Sequence, residues 1–257
     1  MRRLMWLRLM TNAQQYRDVT RLPLDATHEL VIACDSSAGI GLKQDDQVTV
    51  APTTMAAFTI RVPLLELLCL GAQPFAAVDT VGNEMLPTGQ KVIQGIRSEL
   101  ALAGLADLPL NGSTEDNMTT LTTSVGVTLL GKLRHDALLP ATTEALEIFQ
   151  LGQPYVGNEV VAHLAEIFSY ESVRQIRAFT GVQDMLPVGS KGMGYEIAQI
   201  SRTQGHTRLQ WLIDRNDPRI TASAGPATVV VIAVRQTAAA AFAKAFPELP
   251  RIARLEG

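Results

Sequence analysis

The run "TTMAAFTIRVPLLELLCL", Thr53 to Leu70, constrains this chain more than any other stretch. It is apolar on most faces, so as a helix it has to be buried on most faces, and the rest of the chain must supply the surfaces that cover it. Thr53 or Thr54 is the expected N-cap, and Gly71 stands just past the expected end. Pro63 predicts a kink or a restart. Glu66 is the exception inside the run. At helical spacing its neighbours are Val62, Pro63, Cys69 and Leu70, all apolar. A carboxylate there is costly unless it is paired, hydrogen-bonded or bound to a cation. A reach to Arg61 or another base and a role in holding a cation both remain open.

The segments around this helix alternate. "ELVIAC" reads as a strand that ends at Asp35 and runs into the glycine loop "DSSAGIG". "QVTVA" and "PFAAVDTVG" read as strands, the second carrying Asp79. "TGQKVIQGIRSELALAGL" has helical periodicity and closes at Gly104. "NGSTEDNMTT", Asn111 to Thr120, reads as a loop, and "TTLTTSVGVTLLGKL" as a long strand. Composition shifts near residues 134–142. Beyond it come a strand, a Gly/Pro loop and a helix ("ALEIFQLGQPYVGNEVVAHLAEIF"), a second glycine loop ("PVGSKGMG") before the helix "YEIAQISRTQG", strands "RLQWLI" and "ATVVVIAV", and a helix "RQTAAAAFAKAF" stopped by Pro247. The class is α/β in the α+β sense. A chain of 257 residues is comfortable for two small domains. We divide it into an extension at 1–15 and domains at 16–138 and 139–257.

Charge excludes several classes of partner. The net charge is −3, and no Lys/Arg run marks a nucleic-acid or membrane surface. No stretch approaches the roughly 20 apolar residues of a membrane span. Cys34 and Cys69 lie in apolar runs and read as buried free thiols of a reducing compartment. In the N-terminal "MRRLMWLRLM", Arg8 interrupts the apolar run and no clear cleavage site follows, so it reads as an extension, with Met10 a second possible start. A cytoplasmic location is expected.

The chemistry-bearing residues are acidic. Asp35 follows an apolar strand, Asp79 interrupts one, Glu66 sits in the apolar helix, and Glu115 and Asp116 share a loop. Mg²⁺ takes oxygen ligands from one or two carboxylates and fills its remaining positions with water and phosphate oxygens. Carboxylates at strand ends beside glycine loops suit Mg-nucleotide binding. Gly39, Gly41 and Gly112 permit close backbone approach to phosphate, and Lys43 offers a point charge. These glycines equally suit ordinary turns, since neither G-x-x-x-x-G-K-(S/T) nor G-x-G-x-x-G is present. His28, His135, His163 and His206 are scattered and form no zinc pattern. Ser113 is not in a nucleophile elbow.

The stretch from "LLELLCLGAQP" to "NGSTED" resembles the core of the aminoimidazole ribonucleotide synthase-like superfamily, which includes thiamine monophosphate kinase and selenophosphate synthetase. Glu66 matches the acidic residue that precedes the "GA-x-P" motif, here Gly71, Ala72 and Pro74. Asn111, Gly112, Ser113 and Thr114 match the "GG-(D/E/H)-T" loop, with Ser113 at the usual acidic or histidine position and Glu115 or Asp116 left to stand in for it. Asp35 matches a metal-binding Asp, and Asp18 of "RDVT" a second acidic site. "RDVTRLPL", "VIACDSSAGIG", "VPLLELLCLGA", "NEMLPTG" and "NGSTEDN…TSVGVTLLG" resemble the α-ribazole kinase-type proteins of cobalamin salvage, over roughly residues 16 to 134. The resemblance implies a two-domain fold whose N-terminal sheet pairs into a barrel across a homodimer. It implies ATP and Mg²⁺ as cofactors: Asp18, Asp35, Glu66 and Glu115 or Asp116 on the metal, and Gly39, Gly41, Lys43, Asp79, Gly112, Ser113 and Thr114 around the nucleotide. Asn158, Ser190 and Lys191 would meet a riboside, whose 5′-hydroxyl is phosphorylated. The alternatives are another ATP-dependent enzyme of the superfamily and a non-catalytic nucleotide-binding protein.

Overall fold

A computed structural model describes residues 13–257; residues 1–12, most of the expected extension, lie outside the described part. The chain divides into two compact units, one running to Leu67 and from Gly71 to Ala137, the other formed by Leu68–Leu70 and Leu138–Gly257.

The first unit contains β1 (Gln14–Tyr16), β2 (Val19–Pro23), β3 (His28–Ala38), β4 (Ile40–Gly41), β5 (Val48–Thr49), α1 (Pro52–Leu70), β6 (Gln73–Val81), α2 (Gln90–Leu102), β7 (Leu110–Thr114) and β8 (Ser124–Arg134). Six strands form one sheet in the order β1-β2-β3-β8-β6-β7. All pairings are antiparallel except β6 with β7. Alternation decides which face is buried. Val31 and Ala33 on β3, Val125, Val127 and Leu129 on β8, and Ala77 and Val81 on β6 are all buried. Helix α1 lies over this face: Thr59 Oγ1 donates to Ser37 Oγ at 2.9 Å, and the Leu67 methyls fill the space a side chain at Gly131 would need.

Helix α1 is 19 residues long, enough by length and composition to cross a bilayer, so one stretch does approach a span. Two thirds of its apolar window is buried within the protein, as its all-round apolarity requires. Pro52 opens it at the first helical position, where its missing N–H costs nothing, so the start falls one residue before the expected caps. The helix continues through Pro63. Arg61, buried inside it, pairs with Glu99 of α2 at 3.8 Å.

Two further expectations need correction. Asn111–Thr114, expected as loop, is the edge strand β7, paired in parallel with β6. Cys34 is exposed and only Cys69 is buried, because even-numbered residues of β3 point away from the helices. The sheet is open within the single chain, with β1 and β7 at its edges.

The second unit holds β9 (Leu146–Gly152), α3 (Asn158–Ala162), α4 (Tyr170–Ala178), β10 (Val182–Pro187), α5 (Gly192–Gln204), β11 (Arg208–Trp211), β12 (Val229–Arg235), α6 (Gln236–Ala245) and β13 (Arg251–Glu256). Its antiparallel sheet runs β10-β12-β9-β13-β11. Central β9 and β12 are buried on both faces. One face packs Leu146, Ile148 and Val231 against Met193, Ile197 and Ile200 of α5. On the other, Phe149 meets Phe242 of α6 at 4.8 Å between ring centres, and Phe179 meets the same ring edge-on at 5.3 Å. The sequence pattern did not single out β1, β2, α4, β10 or β13.

The helices α1 and α2 touch where Gly95 faces Thr53. A side chain at Gly95 would collide with the Thr53 carbonyl, which is backbone and cannot rotate away. Gly95→Ala is therefore expected to destabilise the protein by about 1–3 kcal/mol through overpacking. A thermal melt should show Tm lower by several degrees, and an unchanged Tm would contradict this packing.

Candidate functional site

Strands β3, β6 and β7 end, and β8 begins, at one edge of the first sheet, as the pairs Ala38↔Ser124, Val81↔Val125 and Val81↔Thr114 record. The loops 39–47, 82–84 and 115–123 gather there, and α1 and α2 start there. Ligands of open sheets bind beyond the carboxyl ends of strands, where helix N-termini also offer unpaired N–H groups.

Just inside this edge the register aligns four residues of neighbouring strands. Asp35 pairs with Val127, Val127 with Asp79, and Asp79 with Gly112. Directly opposed residues point to the same face, so both carboxylates lie on the helix-covered side, with buried Val127 between them. Two strand spacings separate their backbones, about 10 Å. Asp79 is only 3% exposed, and its Oδ1 has no hydrogen-bond partner among the described residues. Burial pushes its pKa up, partly opposed by the Arg97 guanidinium. Its carboxylate occupies the space a side chain at residue 112 would need, so Gly112 is the notch that admits it. Asp35 is half-buried. Burial pushes it up to about 6, against the opposing pull of the Ser36 N–H.

The loops above this row are tied together by polar side chains. Asp46 accepts from the N–H and Oγ1 of Thr123, each at 2.7 Å, and from the Lys43 N–H at 2.8 Å. Lys43 Nζ donates to Glu84 Oε2 at 2.8 Å and to the Thr120 carbonyl at 3.1 Å. Burial would raise Glu84, but hydrogen bonds from Lys43 and from Thr88 Oγ1 hold it down at about 2. Asn83, fully buried, donates to Thr120 Oγ1 and the Thr122 carbonyl and accepts from the Ser124 N–H. Asp46, Asn83 and Glu84 thus build the site's frame. They are not recognisable as site residues in the sequence, because nothing local in "KQDDQ" or "GNEM" distinguishes them from surface polar residues.

The expected site residues divide accordingly. Gly39 adopts φ +71° and gives its N–H to the Thr123 carbonyl at 2.9 Å. A side chain at Gly41 would collide with Thr123 and Asp46. Glu115 accepts the Asn117 N–H, and Asp116 accepts the Met85 N–H and the Thr114 hydroxyl, all at 2.8 Å. Asp116 therefore braces the 111–117 segment against residue 85, and Glu115 holds the segment's own turn. Ser113 is exposed on β7 opposite Thr80. Asp18 is exposed in the β1–β2 turn, which the pairing Thr20↔Ile32 carries to the level of Cys34. Glu66, half-buried, lies in the turn of α1 that covers Gly131, four residues down β8 from the Asp35 row and about 13 Å along the strand. Among the described residues no three of His, Cys, Asp and Glu gather into a metal-sized cluster.

In the second unit, exposed Asn158 opens α3, and Ser190 and Lys191 form the exposed loop before α5. Both follow strand ends on the same side of that sheet, as Gly152↔Val229 and Pro187↔Val230 show. The Lys191 ammonium sits 4.3 Å from the centre of the Tyr195 ring.

No family model matches the chain, and no curated protein matches it. Solved structures do. PurL of T. maritima, solved with AMPPCP, superposes with a TM-score of 0.64 at 14% identity, over 92% of this chain and 42% of PurL. Thiamine monophosphate kinase from Aquifex aeolicus gives 0.64 at 12% identity, over 100% of this chain and 94% of that one. The kinase from Stenotrophomonas maltophilia gives 0.59 at 16%, over 99% and 92%. The chain therefore has the aminoimidazole ribonucleotide synthase-like fold. It spans less than half of PurL and nearly all of the kinases.

Two outcomes follow from the row. Gly112→Ala should displace the Asp79 carboxylate and destabilise the protein, and Asp79→Ala in the same chain should recover much of the loss; a double-mutant cycle with no coupling would contradict the notch. Asp35 binds its proton more tightly folded than unfolded, about 6 against an ordinary 3.8. Its contribution to stability is therefore greatest below about pH 4 and declines as pH rises towards 6. Asp35→Asn should flatten that decline and raise Tm at pH 7, measured by melts across pH 4–8.

Proposed function

We propose that this protein is an ATP-dependent kinase that phosphorylates the 5′-hydroxyl of α-ribazole. The observation that carries the reading is the desolvated Asp35–Asp79 row beneath the strand-end loops. Support for a kinase comes from a fold shared, over nearly the whole of both chains, with thiamine monophosphate kinase. Support for the acceptor comes from the five sequence motifs alone.

A divalent cation fits these residues. Asp79 carries a buried oxygen without a hydrogen bond, and both carboxylates are held above their ordinary range by burial. Such groups are completed by a cation rather than by another hydrogen-bond acceptor. Asp35 would hold Mg²⁺, with Glu66, Asp18 and the Glu115–Asp116 pair as the remaining acidic candidates, while Asp79, whose carboxylate leans over Gly112 on the side away from Asp35, would stand beside the nucleotide. Mg²⁺ bound there would supply neutralisation of the charge on the transferring phosphate. The chain's own work is positioning. The braced 39–43, 83–88 and 115–123 loops hold the nucleotide, Lys43 lies among them, and Asn158 and the Ser190–Lys191 loop orient the acceptor. The acceptor oxygen bonds to the γ-phosphorus as the bond to the β-phosphate oxygen breaks; ADP leaves and the hydroxyl proton is released.

A homodimer is part of this reading. The second face of the first sheet carries Leu30, Ile32, Leu130, Ala76 and Val78 half-buried and Cys34 exposed. A second copy laid on it would cover these residues and close the open sheet into a barrel. A second functional reading, nucleotide binding without turnover, is favoured by Ser113 at the usual acidic position and by the commitment of Lys43 to Glu84.

Purified protein with Mg-ATP and α-ribazole is expected to yield ADP and α-ribazole 5′-phosphate. Asp35→Asn should lower turnover about 100-fold or more, the scale of losing one preorganised electrostatic contact. Phosphorylation of another riboside with α-ribazole untouched would overturn the acceptor; release of inorganic phosphate with ring closure would overturn the kinase; nucleotide binding with no turnover would establish the second reading.

A further inference from the structure

We propose that the stacked rings of Tyr155 and His163 are the platform that receives the flat heteroaromatic base of the acceptor, with His163 Nε2 reading a ring nitrogen. The inference rests on the nucleoside-kinase reading above and names the residues that would choose its substrate. Both rings belong to the segment that follows β9. Their centres are 4.2 Å apart and their planes differ by 2°. Glu166 fixes the pair: its Oε2 accepts from the Tyr155 hydroxyl, and its Oε1 lies 2.7 Å from His163 Nδ1. The Tyr155 hydroxyl first, and then His163, hold the Glu166 carboxyl below its ordinary range, so it is ionised at neutral pH. An ionised carboxylate only accepts, which places a proton on Nδ1.

Holding the segment closed accounts for the Tyr155 hydroxyl and for Nδ1. It does not account for Nε2, which makes no hydrogen bond among the described residues, nor for the open ring. Tyr155 covers one face of His163 and Glu166 one edge, yet the side chain is 39% exposed. What is open is therefore the opposite face and the Nε2 edge. A third planar ring fits there at ordinary stacking distance. Nε2 answers a ring N–H when His163 is neutral and a bare ring nitrogen when it is charged. The same segment exposes Val156, Val161 and Leu164, apolar surface of the kind that marks a binding region. The platform also stands beside the loop assigned to the acceptor. The Tyr155 N–H donates to Thr228 Oγ1 at 3.0 Å, the Thr228 N–H to the Ala224 carbonyl at 2.9 Å, and the Ala224 N–H to the Gly189 carbonyl at 3.2 Å. Three hydrogen bonds, anchored in buried Thr228, thus connect Tyr155 to the residue before Ser190 and Lys191. A ligand that uses both places has a flat base at one end and hydroxyl groups at the other, which is the form of a nucleoside.

Benzimidazole, a flat base without a sugar, is the probe, so binding is read apart from turnover. Titration calorimetry with the full-length protein should show saturable one-to-one binding. 1-Methylindole, equally flat but with neither a ring N–H nor a ring acceptor, should bind about tenfold more weakly, since it forfeits the hydrogen bond to Nε2. His163→Ala should lower benzimidazole affinity about tenfold or more. His163→Phe keeps a ring and loses Nε2, so it should bind the two compounds alike. With α-ribazole and Mg-ATP, His163→Phe should raise KM about tenfold at little-changed kcat, the signature of a contact made equally before and during the reaction. Binding of benzimidazole without phosphorylation of α-ribazole would overturn the kinase reading and support the platform. Absence of saturable benzimidazole binding, equal binding of the two compounds by the unaltered protein, or phosphorylation of α-ribazole with KM unmoved by either substitution would each overturn the platform.

Discussion

The buried carboxylate of Asp79 is the constraint on which the first unit depends. It sits under the helices with one oxygen unsatisfied, and its environment disfavours the charged form. Nothing local forces an aspartate into a strand of apolar neighbours. Its cost is tolerated because the sheet is arranged around it: β7 runs parallel to β6, its register sets residue 112 beside residue 79, and residue 112 has no side chain. The parallel pairing requires a crossover, and α2 is that crossover. The same helix covers the carboxylate and contributes the one cation, Arg97, whose field opposes the desolvation.

The loops beyond the row are built on the opposite principle. Asp46, Asn83 and Glu84 each meet several donors or acceptors from other loops, so segments far apart in sequence are fixed relative to one another before any ligand arrives. Satisfied groups of this kind give shape, while unsatisfied ones in the row below give affinity. The acidic pair Glu115–Asp116 belongs with the first set, because each accepts a backbone N–H and Asp116 also accepts the Thr114 hydroxyl. Glu115 holds the segment's own backbone at Asn117, while Asp116 and Thr120 tie it to Met85 and Asn83 of the neighbouring loop.

What could be read from the sequence follows the range of the interaction. Helix α1 was legible because an all-round apolar run has one outcome, burial. Asp35 and Asp79 stood out because each breaks an apolar strand. Gly112 was legible as special and misread in cause: its reason is the Asp79 carboxylate, a neighbour in space that is 33 residues away in sequence and adjacent only once β6 and β7 are paired. Gly41 is the same case, cleared for Thr123 and Asp46. Cys34 was placed in the core because its run is apolar, yet strand parity puts it on the open face. Strands β1 and β13 are short and studded with arginine or glutamine, so their pairing partners, rather than their own pattern, make them strands.

A rule for reading both units comes from comparing ion pairs. Arg134 with Asp136 and Arg219 with Asp217 close to 2.6 Å between side chains two residues apart. They are local and complete, and the first, being exposed, contributes little to stability. Asp79 and Glu147 are buried, drawn into their positions by tertiary pairing, and left with an oxygen unmet. A fold that only needed stability would gain by replacing each with an apolar residue, since a buried charge that is incompletely paired costs more than it returns. The two carboxylates are thus better explained by what they hold than by what they stabilise. Their surroundings differ: Asp79 lies in the notch beside Gly112 with only the field of Arg97 opposing its burial, whereas Glu147 stands beside the guanidinium groups of Arg251 and Arg254, the latter shared with Glu256 at 3.0 Å.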